Sequence, residues 1–150
     1  MNGSLIKSKK SFLTCVLLTA TMYCSAQKQL LSYQDIQYIV QNNTAAVTSF
    51  LQQKEYHLQS SSNGEARFFS LIADADYNDV NFNAQGKHTI LTLLTTDLPQ
   101  LKLIESELQN RDFKNTKNGK LYRIKSDAIS TISIKPPETA EKIYTIRIEN

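Results

Sequence analysis

Asp74-Ala75-Asp76-Tyr77-Asn78-Asp79 places oxygen side chains at every second position, Asp74, Asp76 and Asn78, and then adds Asp79. Hard cations such as calcium are held by several oxygen ligands, and carboxylates crowded together repel one another unless a counter-charge sits among them. The segment is the first candidate for chemistry, as a calcium or other hard-cation site with Asp74, Asp76, Asn78 and Asp79 as ligands. A plainer reading stands beside it: Asp and Asn are favoured in turns, so the same run fits the polar edge of a strand that ends in a turn.

Measured against a helix–loop–helix calcium loop, the match stops after its first half. The glycine needed for the sharp turn is replaced by Asp79, and the bidentate glutamate that closes the loop is replaced by Gln85. The flanks alternate like strands. Any calcium held here is held by a looser site.

Other catalytic signatures are absent from the sequence. His57 and His88 are the two histidines, and neither has the spacing of a metal motif. A small carboxylate-dependent hydrolase would have to use Asp74, Asp76, Asp79 and His88. There is no G-x-S-x-G elbow, and Gly64, Gly86 and Gly119 are too dispersed to cradle a phosphate. Glu105 and Glu107 lie two apart on an expected helix and face different ways. These readings give no catalytic residues and no cofactor, with calcium as the one ion to consider.

A second candidate is basic. Arg111, Lys114, Lys117, Lys120, Arg123 and Lys125 face a single acid, Asp112, with Tyr122 among them. Such a patch can meet an acidic protein or a polyanion. Strand alternation divides it, however, with Lys120 and Tyr122 on one side and Arg123 and Lys125 on the other. Lysines at a hairpin also protect a sheet edge.

The elements that must position these residues begin after a leader. Lys7, Lys9 and Lys10 precede the apolar run from Phe12 to Tyr23, and Cys24-Ser25-Ala26 supplies the small residues of a cleavage site. Residues 1–26 read as a cleaved secretory signal peptide, and residues 27–150 as a single domain. The Ser-Ala-Gln ending resembles the leader ends of many exported proteins of Gram-negative bacteria. Lipid attachment at Cys24 is disfavoured by Tyr23 and Thr21 where small and leucine residues are wanted. The expected location is the periplasm or the extracellular medium, with no transmembrane helix after cleavage. Both cysteines, Cys15 and Cys24, fall in the leader, so the domain has no disulfide. Three of the 17 basic side chains also fall there, which leaves 14 against 14 acids. That balance argues against nucleic acid as a partner.

Ser32-Tyr33-Gln34-Asp35 reads as a capping box opening a helix from about Tyr33 to Glu55, bent near Asn43. A strand over 66–76 follows, with Phe69, Leu71, Ala73, Ala75 and Tyr77 on its apolar side. The alternation flips between Asn78 and Val80, the mark of a bulge or turn. His88–Thr96 is apolar and β-branched enough for a central strand. Asp97 caps a second helix to about Asp112, with Pro99 in its first turn. Lys117-Asn118-Gly119-Lys120 is a hairpin-type turn, and strands near 121–124, 129–134 and 143–148 finish the chain. The expected fold is α+β: a two-layer sandwich of order α-β-β-α-β-β-β, with an antiparallel sheet of four to five strands and two helices packed on one face. The expected function is that of a small exported, non-enzymatic binding module of the bacterial cell envelope. Its partner would be an envelope or extracellular protein or a polyanion. Calcium binding through 74–79 and the hydrolase are the alternatives.

Overall fold

The computed structural model describes residues 29–124, 128–138, 140 and 142–150 of the chain. The leader with Cys24 lies outside the described residues, as do Lys125 and the strand break at Ser126-Asp127.

Ser32 caps α1 (Tyr33–Gln41). Its hydroxyl accepts from the Asp35 N–H at 3.1 Å, and the Asp35 carboxylate accepts from the Ser32 N–H at 2.8 Å. The single long helix expected to Glu55 does not form. Asn42 is extended, and Asn43 starts a new helix, α2 (Thr44–Gln53), its Oδ1 accepting from the Ala46 N–H at 3.0 Å. Asparagine competes for backbone donors, so two in a row end one helix and cap the next. The third helix, α3 (Leu98–Leu108), is capped by Asp97, which accepts from the Gln100 N–H at 2.8 Å.

Eight strands make one antiparallel sheet: β1 (His57–Ser62), β2 (Glu65–Ala73), β3 (Asp76–Gln85), β4 (His88–Thr95), β5 (Phe113–Thr116), β6 (Gly119–Arg123), β7 (Thr131–Lys135) and β8 (Tyr144–Glu149). Their order across the sheet is β1-β2-β3-β4-β8-β7-β6-β5. The expected four to five strands under two helices are therefore corrected to an eight-stranded antiparallel sheet with three short helices. The three added strands are the two edges, β1 and β5, and β3, whose residues the alternation assigns to the end of the 66–76 strand and a bulge or turn after it. Every residue of β1 and of β5 is exposed, so neither shows the buried-exposed alternation that marks a strand in sequence.

The order reads alike from either edge. A helical segment followed by a four-strand meander occurs twice, and the last strand of each meander, β4 and β8, meet antiparallel at the centre. The β1–β2 hairpin turns at Asn63-Gly64, and the β5–β6 hairpin turns at Lys117-Asn118 with Gly119 opening β6. Gly64 (φ +84°) and Gly119 (φ +110°) have conformations that favour glycine. A Cβ on either would run into the backbone of a strand beyond the hairpin, at the Ala84 or the Ile134 carbonyl oxygen.

The core lies between the helices and one face of the sheet. Ile36, Ile39, Val47, Leu51, Ile104 and Leu108 from the helices meet Phe68, Val80, Phe82, Leu91, Leu93, Ile132, Ile146 and Ile148 from the strands. Each such side chain contributes about 1.5–3 kcal/mol on full burial. The side expected to be buried in β2 is reversed. Ala66, Phe68 and Ser70 face the helices, while Phe69 and Leu71 face away. The apparent flip near Asn78 has its cause earlier, at the turn Asp74-Ala75. That turn ends β2 and lets β3 run unbroken with Asn78, Val80 and Phe82 on the helix side.

Candidate functional site

Since the helices take one face, the other face of the sheet is where side chains are both ordered and available. Strand pairing arranges them in rows. One row runs Phe69, Asp79, Leu94, Thr145 across β2, β3, β4 and β8. The next runs Arg67, Asn81, Thr92, Arg147, Ser133, Leu121, and the one after it Glu65, Asn83, Ile90, Glu149, Thr131, Arg123. Beyond Phe69, toward the Asp74-Ala75 turn, Leu71 pairs with Tyr77.

The two ends of this face differ in character. At the turn end the Phe69 and Tyr77 rings stack, centroids 5.5 Å apart and planes 28° from parallel, beside Leu71, which is 55 % exposed. Further along, charge appears in pairs. Arg67 Nε donates to Asp79 Oδ1 at 3.0 Å, and a second guanidinium nitrogen donates to Oδ2. The fork matches a carboxylate well, and it holds the Arg67 proton more firmly than usual, through hydrogen bond and charge. Arg147 donates to Glu149 at 2.7 Å. Between them lies an open groove of about 390 Å³, lined by Ser60, Ser62, Glu65, Arg67, Asn81 and Arg147 among others.

The four residues of the acidic segment do not meet. Asp74 lies in the turn with φ +50°, and Asp76 begins β3. Asn78 is fully buried on the helix side, whereas Asp79 belongs to the opposite face and to Arg67. His88, exposed at the start of β4, pairs with Gln85 at the far end of β3. Nine residues of strand, about 30 Å, separate that point from Asp76. Among the described residues no three His, Cys, Asp or Glu side chains gather closely enough to hold a metal ion.

Asn78 has a different role. Its Nδ2 donates to the Tyr56 hydroxyl at 2.8 Å and to Gln100 Oε1 at 2.9 Å. Gln100, also buried, accepts from the Leu31 N–H and donates to the Leu31 carbonyl, both at 2.8 Å. The Tyr56 hydroxyl donates to the Gln29 carbonyl at 2.8 Å, and burial pushes its ionisation far above the ordinary range. This is a polar latch fastening the entry segment and α3 onto β3.

The basic stretch is likewise dispersed. Tyr122 is buried on the helix side and packs on Phe113, centroids 5.5 Å apart. Lys120 lies 3.8 Å from Glu105 of α3 and over the Phe113 ring. Arg111 lies over the ring of Tyr33. Lys117 is in the β5–β6 turn, while Lys114 and Arg123 belong to the open-face rows.

The residues that sequence reasoning missed are Arg67, Phe69, Leu71 and Tyr77. Once the hairpin turn is placed at Asp74-Ala75, pairing sets Phe68 opposite Val80 and Ala66 opposite Phe82. The apolar parity of Val80 and Phe82 then identifies Phe68 as core and Phe69 as its outward neighbour. No protein-family model matches the chain, and neither a curated protein nor a solved structure matches it.

Proposed function

We propose that the protein is a small exported, non-enzymatic binding module of the bacterial cell envelope, and that it takes a protein partner on the open face of its sheet. The observation that carries this reading is the one-sided packing: no described helix covers the face that holds Phe69, Leu71, Tyr77 and Leu94. Aromatic and aliphatic side chains beside already paired charges are the mixture found in non-obligate protein interfaces. The pairing of Arg67 with Asp79 and of Arg147 with Glu149 favours a partner of mixed charge over a polyanion. His88 pairs with Gln85 about 30 Å along β3 from Asp76, which weighs against their sharing a general acid–base site.

The experiment is capture from envelope extract with the tagged protein. Leu71→Arg is compared with Glu107→Ala, an exposed position on α3. A protein retained by Glu107→Ala and lost with Leu71→Arg is the expected result. Capture no greater than bead background, or capture indifferent to Leu71→Arg, overturns the proposal.

A further inference from the structure

The two edges of the sheet are defended unequally. Exposed edge strands offer unpaired N–H and C=O groups, and proteins blunt them with lysine, proline, bulges or shortness. The β5 edge is four residues long, carries Lys114, and turns at Lys117. The β1 edge is six residues long, His57-Leu58-Gln59-Ser60-Ser61-Ser62, exposed throughout, with neither lysine nor proline. Its one defence is a register shift between Leu58 and Ser60, which leaves Ser60–Ser62 as regular edge.

We propose that β1 is a self-association edge: two copies of this chain pair Ser60–Ser62 antiparallel about a two-fold axis and join their sheets into one. The occupant follows from charge. A two-fold contact sets each side chain near its own copy, so a charged edge repels itself. Ser60, Ser61 and Ser62 are uncharged, and a hydroxyl both donates and accepts, so serine can bond to serine. The opposite edge would bring Lys114 toward Lys114. Only one edge is competent, so association closes at two copies and does not continue as a fibre.

The backbone geometry supplies the test. The Asn63-Gly64 loop makes Ser62 and Glu65 a hydrogen-bonded pair, and Ser60 and Arg67 the next one. The N–H and C=O of Ser61, between them, point out of the sheet. Proline at position 61 therefore removes an outward donor and spares the β1–β2 ladder. Sedimentation velocity on the purified protein is expected to show a monomer that converts to dimer as concentration rises. Ser61→Pro should abolish the dimer while circular dichroism and melting stay as in the parent. If Ser61→Pro disturbs the fold, Ser61→Lys decides, since it leaves the backbone alone and sets two cations together across the axis. A parent that stays monomeric up to its solubility limit overturns the proposal. So does a dimer that survives Ser61→Lys, because it must use another surface.

Discussion

Phe68 and Phe69 are consecutive residues of β2, of one type, and they lie on opposite faces of one sheet. Phe68 is fully buried beneath the helices, and Phe69 stacks on Tyr77 at the open face. The same contrast runs the length of β3, where Asn78 is locked into the polar latch while Asn81 is exposed. A strand turns alternate side chains to opposite faces. A fold that packs its helices on one face therefore gives half of each strand to stability and leaves the other half to be varied. This separation lets residues of the open face change at a smaller cost to the fold than residues of the buried face.

The strongest way to break the comparison is to truncate both phenylalanines. Phe68→Ala leaves a cavity among residues that cannot all collapse into it, and it should lower unfolding stability by about 3–5 kcal/mol. Phe69→Ala loses a cross-strand ring contact, worth about 1 kcal/mol. Urea titrations followed by circular dichroism measure both, and an unchanged slope keeps the two values comparable. Equal losses would mean that the open face is also part of the core.

A second pair of substitutions sharpens the contrast with polar groups. Asn78→Ala takes one donor from the Tyr56 hydroxyl and one from Gln100 Oε1, which then keeps only the Leu31 N–H, in a buried network. The expected cost is about 2 kcal/mol. Asn81→Ala, on the same strand and from the same residue type, should stay within about 0.5 kcal/mol. The same titration decides between these outcomes.

These two pairs also mark how far the fold was legible. Local signals were readable: the Ser32–Asp35 capping box, the Asp97 cap, the central strand β4 and the turn ahead of Gly119. Each depends on a few adjacent residues whose chemistry has one economical solution. The edges were not readable, because every residue of β1 and β5 is exposed and no buried alternation marks them as strands. The faces of β2 were not readable either. Phe68, Phe69, Leu71 and Ile72 are apolar on both parities, and only pairing with Val80 and Phe82 selects Phe68 for the core. The acidic segment was misjudged as a unit for the same reason. Its alternation was visible, but which of Asn78 and Asp79 faces the helices is set by the pairing of whole strands.

The smallest expected effect concerns charge beneath the helices. Asp79 on the open face is buried beside Arg67, whereas Asp97 at the start of α3 is buried with no cation facing it among the described ion pairs. Burial pushes the Asp97 carboxyl above its ordinary value of 3.8, the Gln100 N–H pulls it partly back, and the charge of Asp76 adds a smaller push upward. The folded state thus binds this proton more tightly than the unfolded chain does. The contribution of Asp97 to stability is then most favourable below pH 3.8 and is lost as pH rises through the raised folded value. Asp97→Asn keeps a good helix cap and removes the titration. The Tm of Asp97→Asn relative to the parent should therefore be higher at pH 7 than at pH 3, by a few degrees at most. The opposite slope would mean that the helix N-terminus stabilises the Asp97 anion more than burial opposes it.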